Sequence, residues 1–77
     1  MRVKKIQKGI YDAFDKLNNH YRIADTFESS LDKPEGSEKW GVWEQEEGQW
    51  IFIDSNHTMT ECLEFLETIE AAHRLGR

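Results

Sequence analysis

Cysteine and proline occur once each in this 77-residue chain. The lone Cys62 excludes an internal disulfide framework and any zinc site built from several cysteines. Long apolar runs are missing too. No window approaches the roughly 18 consecutive apolar residues of a membrane-spanning helix. The start, Met1-Arg2-Val3-Lys4-Lys5-Ile6, is cationic but lacks the following apolar stretch of about seven residues that marks a secretory signal. The expected setting is therefore soluble, reducing and cytoplasmic. Asn56-His57-Thr58 fits the N-glycosylation pattern, but with no secretory signal in front of it the match is read as chance.

What is present suits one small folded unit. Hydrophobic residues make up 38% and aromatics 12%, enough to exclude a fully disordered chain. A domain of this size has little stability to spare, so its large side chains are needed for its own core unless a partner supplies cover. The net charge of −5 is unevenly spread. Residues 1–22 carry a net +4 and residues 23–77 a net −9. Such a polarity steers partners without naming them.

Apolar periodicity predicts a helix at the N-terminus. Val3, Ile6, Ile10, Ala13, Phe14 and Leu17 recur at three- and four-residue steps, with Gly9 as an interior weakness and Asn18-Asn19 as the stop. The segment 21–28 reads as a strand through Tyr21, Ile23 and Phe27, although Tyr21, Ala24, Phe27 and Leu31 also fit a helical stripe. Asp32-Lys33-Pro34-Glu35-Gly36-Ser37-Glu38 is a loop. A hairpin follows over residues 39–54, turning at Glu47-Gly48. A second helix starts at the capping box Thr58-Met59-Thr60-Glu61, presents Met59, Cys62, Leu63, Phe65, Leu66, Ile69, Ala72 and His73 on one face, and closes at Gly76. The expected fold is thus one α+β domain over 1–77, in α-β-β-β-α order. Two amphipathic helices would cover one face of a three-stranded antiparallel sheet.

All three tryptophans fall in the hairpin. A two-residue turn at Glu47-Gly48 sets Trp43 opposite Phe52 and Gln45 opposite Trp50, on one face with Gly41 and Asp54. Trp40, Val42, Ile51 and Ile53 take the other face, so both are apolar. Two helices cover only one of them. Either the loop shields the second face, or Trp43, Trp50 and Phe52 stand open as a platform for a partner.

Catalytic and metal chemistries find little support. Asp54, Ser55 and His57 are close in sequence, whereas triad members usually converge from separate segments. Cys62 sits on the apolar stripe and reads as a buried, inert thiol. His20, His57 and His73 lie on different elements, and Asp54-x-Asn56-x-Thr58 lacks the glycine and closing glutamate of a calcium loop. No cofactor, metal or catalytic residue is expected. Double-stranded RNA-binding domains have the same element order but place a lysine cluster at the start of the last helix. Here Glu61, Glu64, Glu67 and Glu70 would repel phosphate.

Two functions are therefore expected of this sequence. The first is a non-catalytic protein-interaction module of the kind found among phage and mobile-element accessory proteins, which modulate or inhibit a host protein. It would bind another protein, a basic one suiting its carboxylates, or a second copy of itself through Trp43, Trp50 and Phe52, with Glu44, Glu46, Glu47, Glu64 and Glu67 as an acidic rim. The alternative is nucleic-acid binding by Arg2, Lys4, Lys5 and Lys8 on the first helix, where Arg2, Lys5 and Lys8 align and Lys4 lies beside Lys8.

Overall fold

Gly9 adopts φ +80°, a conformation open to glycine and costly for other residues, and the chain reverses at Lys8-Gly9. The N-terminal segment is consequently a β-hairpin and not the expected helix. In the computed structural model, which describes residues 1–75, β1 (Arg2–Gln7) pairs antiparallel with β2 (Ile10–Phe14). The apolar steps that suggested a helix are also compatible with alternation, because Val3 and Ala13 share one face while Phe14 takes the other. Cations in a first helical turn oppose the macrodipole, a conflict that strands do not have.

The chain then continues as a meander. Asp15 to Asn19 form a tight connection in which Asn18 takes φ +65°. Asp15 organises it: Oδ1 accepts from the Leu17 and Asn19 amides at 2.9 and 2.8 Å. β3 (His20–Asp25) follows, as the alternation of Tyr21 and Ile23 indicated. β4 (Trp40–Glu46) and β5 (Gln49–Asn56) form the expected hairpin. Glu47 and Gly48, at φ +52° and +79°, form the two-residue turn with two positive φ values that matches strand twist. The five strands lie in sequence order, β1-β2-β3-β4-β5, and α1 (Met59–Leu75) is the one helix among the described residues. The expected three-stranded sheet with two helices is thereby replaced by five antiparallel strands and a C-terminal helix.

α1 begins as its capping box requires. The Glu61 amide donates to Thr58 Oγ1 at 3.2 Å, and the Thr58 amide donates to Glu61 Oε1 at 3.2 Å. Its apolar stripe closes the main core: Cys62 and Leu66 are buried against Ala13, Tyr21, Ile23 and Val42, with Trp40, Ile53, Met59, Leu63, Phe65 and Ile69 around them. Ala72 and His73, expected on this stripe, are exposed; Gly76 lies outside the described residues. Glu70 is buried and accepts the Lys16 amide at 2.5 Å, which ties the helix to the β2–β3 turn.

A bulge between Val42 and Trp43 of β4, where β5 carries one extra residue, changes the phase of β5. Gly41 faces Ser55 instead of Asp54. Ser55 thereby meets the β3–β4 connection, accepting the Glu38 amide at 3.0 Å. Asn56 turns toward the helix, its amide 3.7 Å from Cys62 Sγ.

Candidate functional site

The sheet face away from α1 is built in rungs, each with one residue from each strand. The registers align Arg2, Phe14, His20, Gln45 and Trp50 in the first rung. The second contains Lys4, Asp12, Arg22, Trp43 and Phe52. In the third, Gln7, Ile10, Ala24, Gly41 and Ser55 are mostly small. Over the small end lies the long β3–β4 connection. Thr26 closes its base, with its amide donating to the Lys39 carbonyl at 2.7 Å and its hydroxyl to the Glu38 carbonyl at 2.7 Å. This compact loop with joined ends is an Ω-type closure.

Trp43 anchors the loop. Its Nε1 donates to the Asp32 carbonyl at 2.8 Å, its ring meets Phe52 edge-on at 5.4 Å, and none of it is exposed. A Cβ at Gly41 would come within 2.7 Å of Trp43 Cη2, so the indole lies directly over the glycine. The hairpin's three tryptophans thus occupy three environments. Trp40 borders the helix-side core, Trp43 is sealed beneath the loop, and Trp50 lies half-buried on the first rung.

The first rung is a packed lateral row. Arg2 lies 4.9 Å from the Phe14 ring centre, and His20 stacks on Phe14 at 4.4 Å. Because Arg2 and His20 come from strands on opposite sides of β2, they occupy opposite faces of that ring. Trp50 leans from β5 toward β3, meeting His20 edge-on at 4.9 Å and lying 4.6 Å beneath the Arg22 guanidinium. Arg22 Nε donates to Asp12 Oδ1 at 2.8 Å. His20 Nε2 lies 3.3 Å from Asp12 Oδ2 without hydrogen-bond geometry, and Nδ1 lies 3.2 Å from Gln45 Oε1. Burial opposes ionisation of Asp12, but Arg22 and His20 outweigh it and hold its carboxyl below the ordinary carboxylate value.

The remaining candidates separate across the molecule. Glu44 faces the helix side, opposite Tyr21; Glu46 and Glu47 lie exposed at the hairpin tip; Glu64 and Glu67 are exposed on α1. They do not surround the aromatic row. Of the basic group, Arg2 and Lys4 flank the rungs, Lys5 takes the other face, and Lys8 lies in the first turn, so no helical ridge exists. Phe14, His20 and Arg22 were missed by sequence reasoning. They come from separate stretches, and only the register brings them beside Trp50. One available signal was that Phe14 and His20 bracket the Asp15–Asn19 turn symmetrically.

Other chemical groups sit in structural roles. Burial pushes the Cys62 thiol up to about 11, despite its contact with Asn56. Burial, then Asp15 and Glu44, push the Tyr21 hydroxyl up to about 12. Among the described residues, no cluster of three His, Cys, Asp or Glu side chains could hold a metal ion. No described helix is long and apolar enough to cross a membrane. Comparison with protein-family models, curated proteins and solved structures gave no match.

Proposed function

We propose that this chain is a non-catalytic protein-interaction module acting through the sheet face opposite α1. The observation that carries the reading is the first rung: Phe14, His20 and Trp50 form one row, flanked by Arg2 and Arg22, on a face whose far end alone is covered by the loop. Tryptophan and arginine together are the side chains most enriched at binding hot spots. The partner meets the row through Trp50 and Phe52; Trp43 supports that surface from beneath the loop.

Charge refines the choice of partner. The two outer rungs carry Arg2, Lys4 and Arg22 against one carboxylate, Asp12, which is already paired with Arg22. Glu64 and Glu67 are on the helix side. The face therefore suits an acidic partner better than the basic one that the chain's overall charge suggests. Nucleobase stacking fits less well, since it needs an open ring face. Both faces of Phe14 are occupied, and Arg22 covers one face of Trp50.

The test is comparative crosslinking in cells that encode the chain. Wild type, Trp50→Ala/Phe52→Ala and Glu64→Lys/Glu67→Lys are expressed at matched levels. A protein captured by wild type and by the helix variant, but lost from the Trp50/Phe52 variant, is the expected result. Equal capture by all three would refute a role for this face.

A further inference from the structure

We infer that the free edge of β1 takes an extended acidic segment of the partner protein as a sixth strand; this rests on reading the chain as a protein-binding module. β1 is hydrogen-bonded on one side only, and all six of its residues are exposed. Such an edge offers a row of backbone donors and acceptors for strand addition. Val3 is 39% exposed, so an added strand would gain apolar contact as well as hydrogen bonds.

Charge selects the occupant. Arg2 and Lys4 project to the rung face and Lys5 to the other, while Lys8 stands at the strand's end. A strand beside β1 would have cations along both of its faces, which favours Asp and Glu at alternating and flanking positions. Pairing of two β1 edges would instead bring this cluster against its own copy, and like charges directly opposite are destabilising. The bulge between Lys5 and Gln7 ends the regular edge, so pairing is confined to Arg2–Lys5. Side chains of the added strand would continue the Arg2 and Lys4 rungs outward, making edge and aromatic row one continuous surface.

The test is an NMR titration of the full chain with three eight-residue capped peptides. One alternates Val/Thr with Glu/Asp, one has Gln/Asn at the acidic positions, and one has Lys there. The acidic peptide should shift the Arg2–Lys5 amides, slow hydrogen exchange at the edge, and bind at least about tenfold more tightly than the lysine peptide at low salt, with the gap narrowing as salt is added. Lys4→Glu/Lys5→Glu should reverse that preference. Lys5→Glu/Lys8→Glu, which leaves Arg2 and Lys4 in place on the rung face, should narrow the preference without reversing it. Shifts confined to Trp50 and Phe52 would overturn the edge inference and leave the sheet-face reading standing. No shift with any peptide, a preference indifferent to charge, or tighter binding of a thymidine oligonucleotide at the same amides would overturn it too. Loss of the sheet-face reading would show separately, as equal capture in the crosslinking comparison.

Discussion

Replacing Gly41 with alanine places a methyl group where the Trp43 indole lies. The new Cβ would be 2.7 Å from Trp43 Cη2, 2.9 Å from Cζ3 and 3.0 Å from Thr26 Cγ2. The ring is rigid and fully buried, and Thr26 is held by the loop closure, so neither neighbour yields easily. Overpacking of this kind costs about 1–3 kcal/mol. Moving the indole also weakens its bond to Asp32, a further loss of about 1 kcal/mol. Reduced freedom of the unfolded chain returns about 0.4–1 kcal/mol. The net expectation is a destabilisation of about 1–3 kcal/mol, and each kcal/mol lowers Tm by roughly 4–8 °C in a domain of this size. Urea and thermal unfolding followed by circular dichroism measure it. Trp43→Phe removes the two clashing ring atoms, so Gly41→Ala should cost markedly less in that background. A Gly41→Ala protein as stable as wild type, or a cost unchanged by Trp43→Phe, would refute this account of the loop anchor.

Three further outcomes are expected. Burial opposes ionisation of Asp15, but its bonds to Asn19 and Leu17 outweigh burial and depress its pKa below 3.8; the stability it adds is present above that value and lost as pH falls through the folded-state pKa. Asp15→Asn should therefore destabilise by about 1–3 kcal/mol at neutral pH, with the gap in urea midpoints closing in acid. The Tyr21 hydroxyl, raised from 10.0 to about 12, acts in the opposite direction: its contribution is complete below pH 10.0 and lost as pH rises through about 12. Relative to Tyr21→Phe, wild type should lose about 2–3 kcal/mol across that window, and equal alkaline midpoints would contradict the burial of that hydroxyl. Finally, Cys62, fully buried and pushed up to about 11, should react with a thiol reagent only as fast as the protein opens, with the rate rising sharply in denaturant.

Local chemistry was legible in the sequence wherever one segment determined the outcome. The Glu47-Gly48 turn, the Trp43–Phe52 pairing and the Thr58–Glu61 cap all depend on residues a few positions apart. The strand at 21–28 was legible as well, though it is shorter, ending at Asp25. The first hairpin was not, because Val3, Ile6, Ile10 and Ala13 satisfy a helical period while Gly9 reads equally as a weak helix residue or as a turn. Trp43's burial depends on a loop that leaves at Thr26 and returns at Lys39; shielding by that loop was one of the two readings the sequence offered, and the hairpin alone could not choose between them. Glu70 looked like one more solvated carboxylate, yet its partner is an amide 54 positions earlier.

The uninterrupted β1-to-β5 order has a consequence for how the chain is assembled. Every strand pairs with its neighbour in sequence, so each hairpin can close as soon as its second strand is available. Contacts of short sequence separation form quickly, because little loop entropy opposes them. The helix is the exception: it must return to cover Tyr21, Ile23 and Val42 and to place Glu70 on Lys16. During synthesis the sheet would therefore zip in order of emergence with its main apolar side still bare. The seventeen residues of α1, Met59–Leu75, which follow β5, would act as the closing step that makes the structure cooperative.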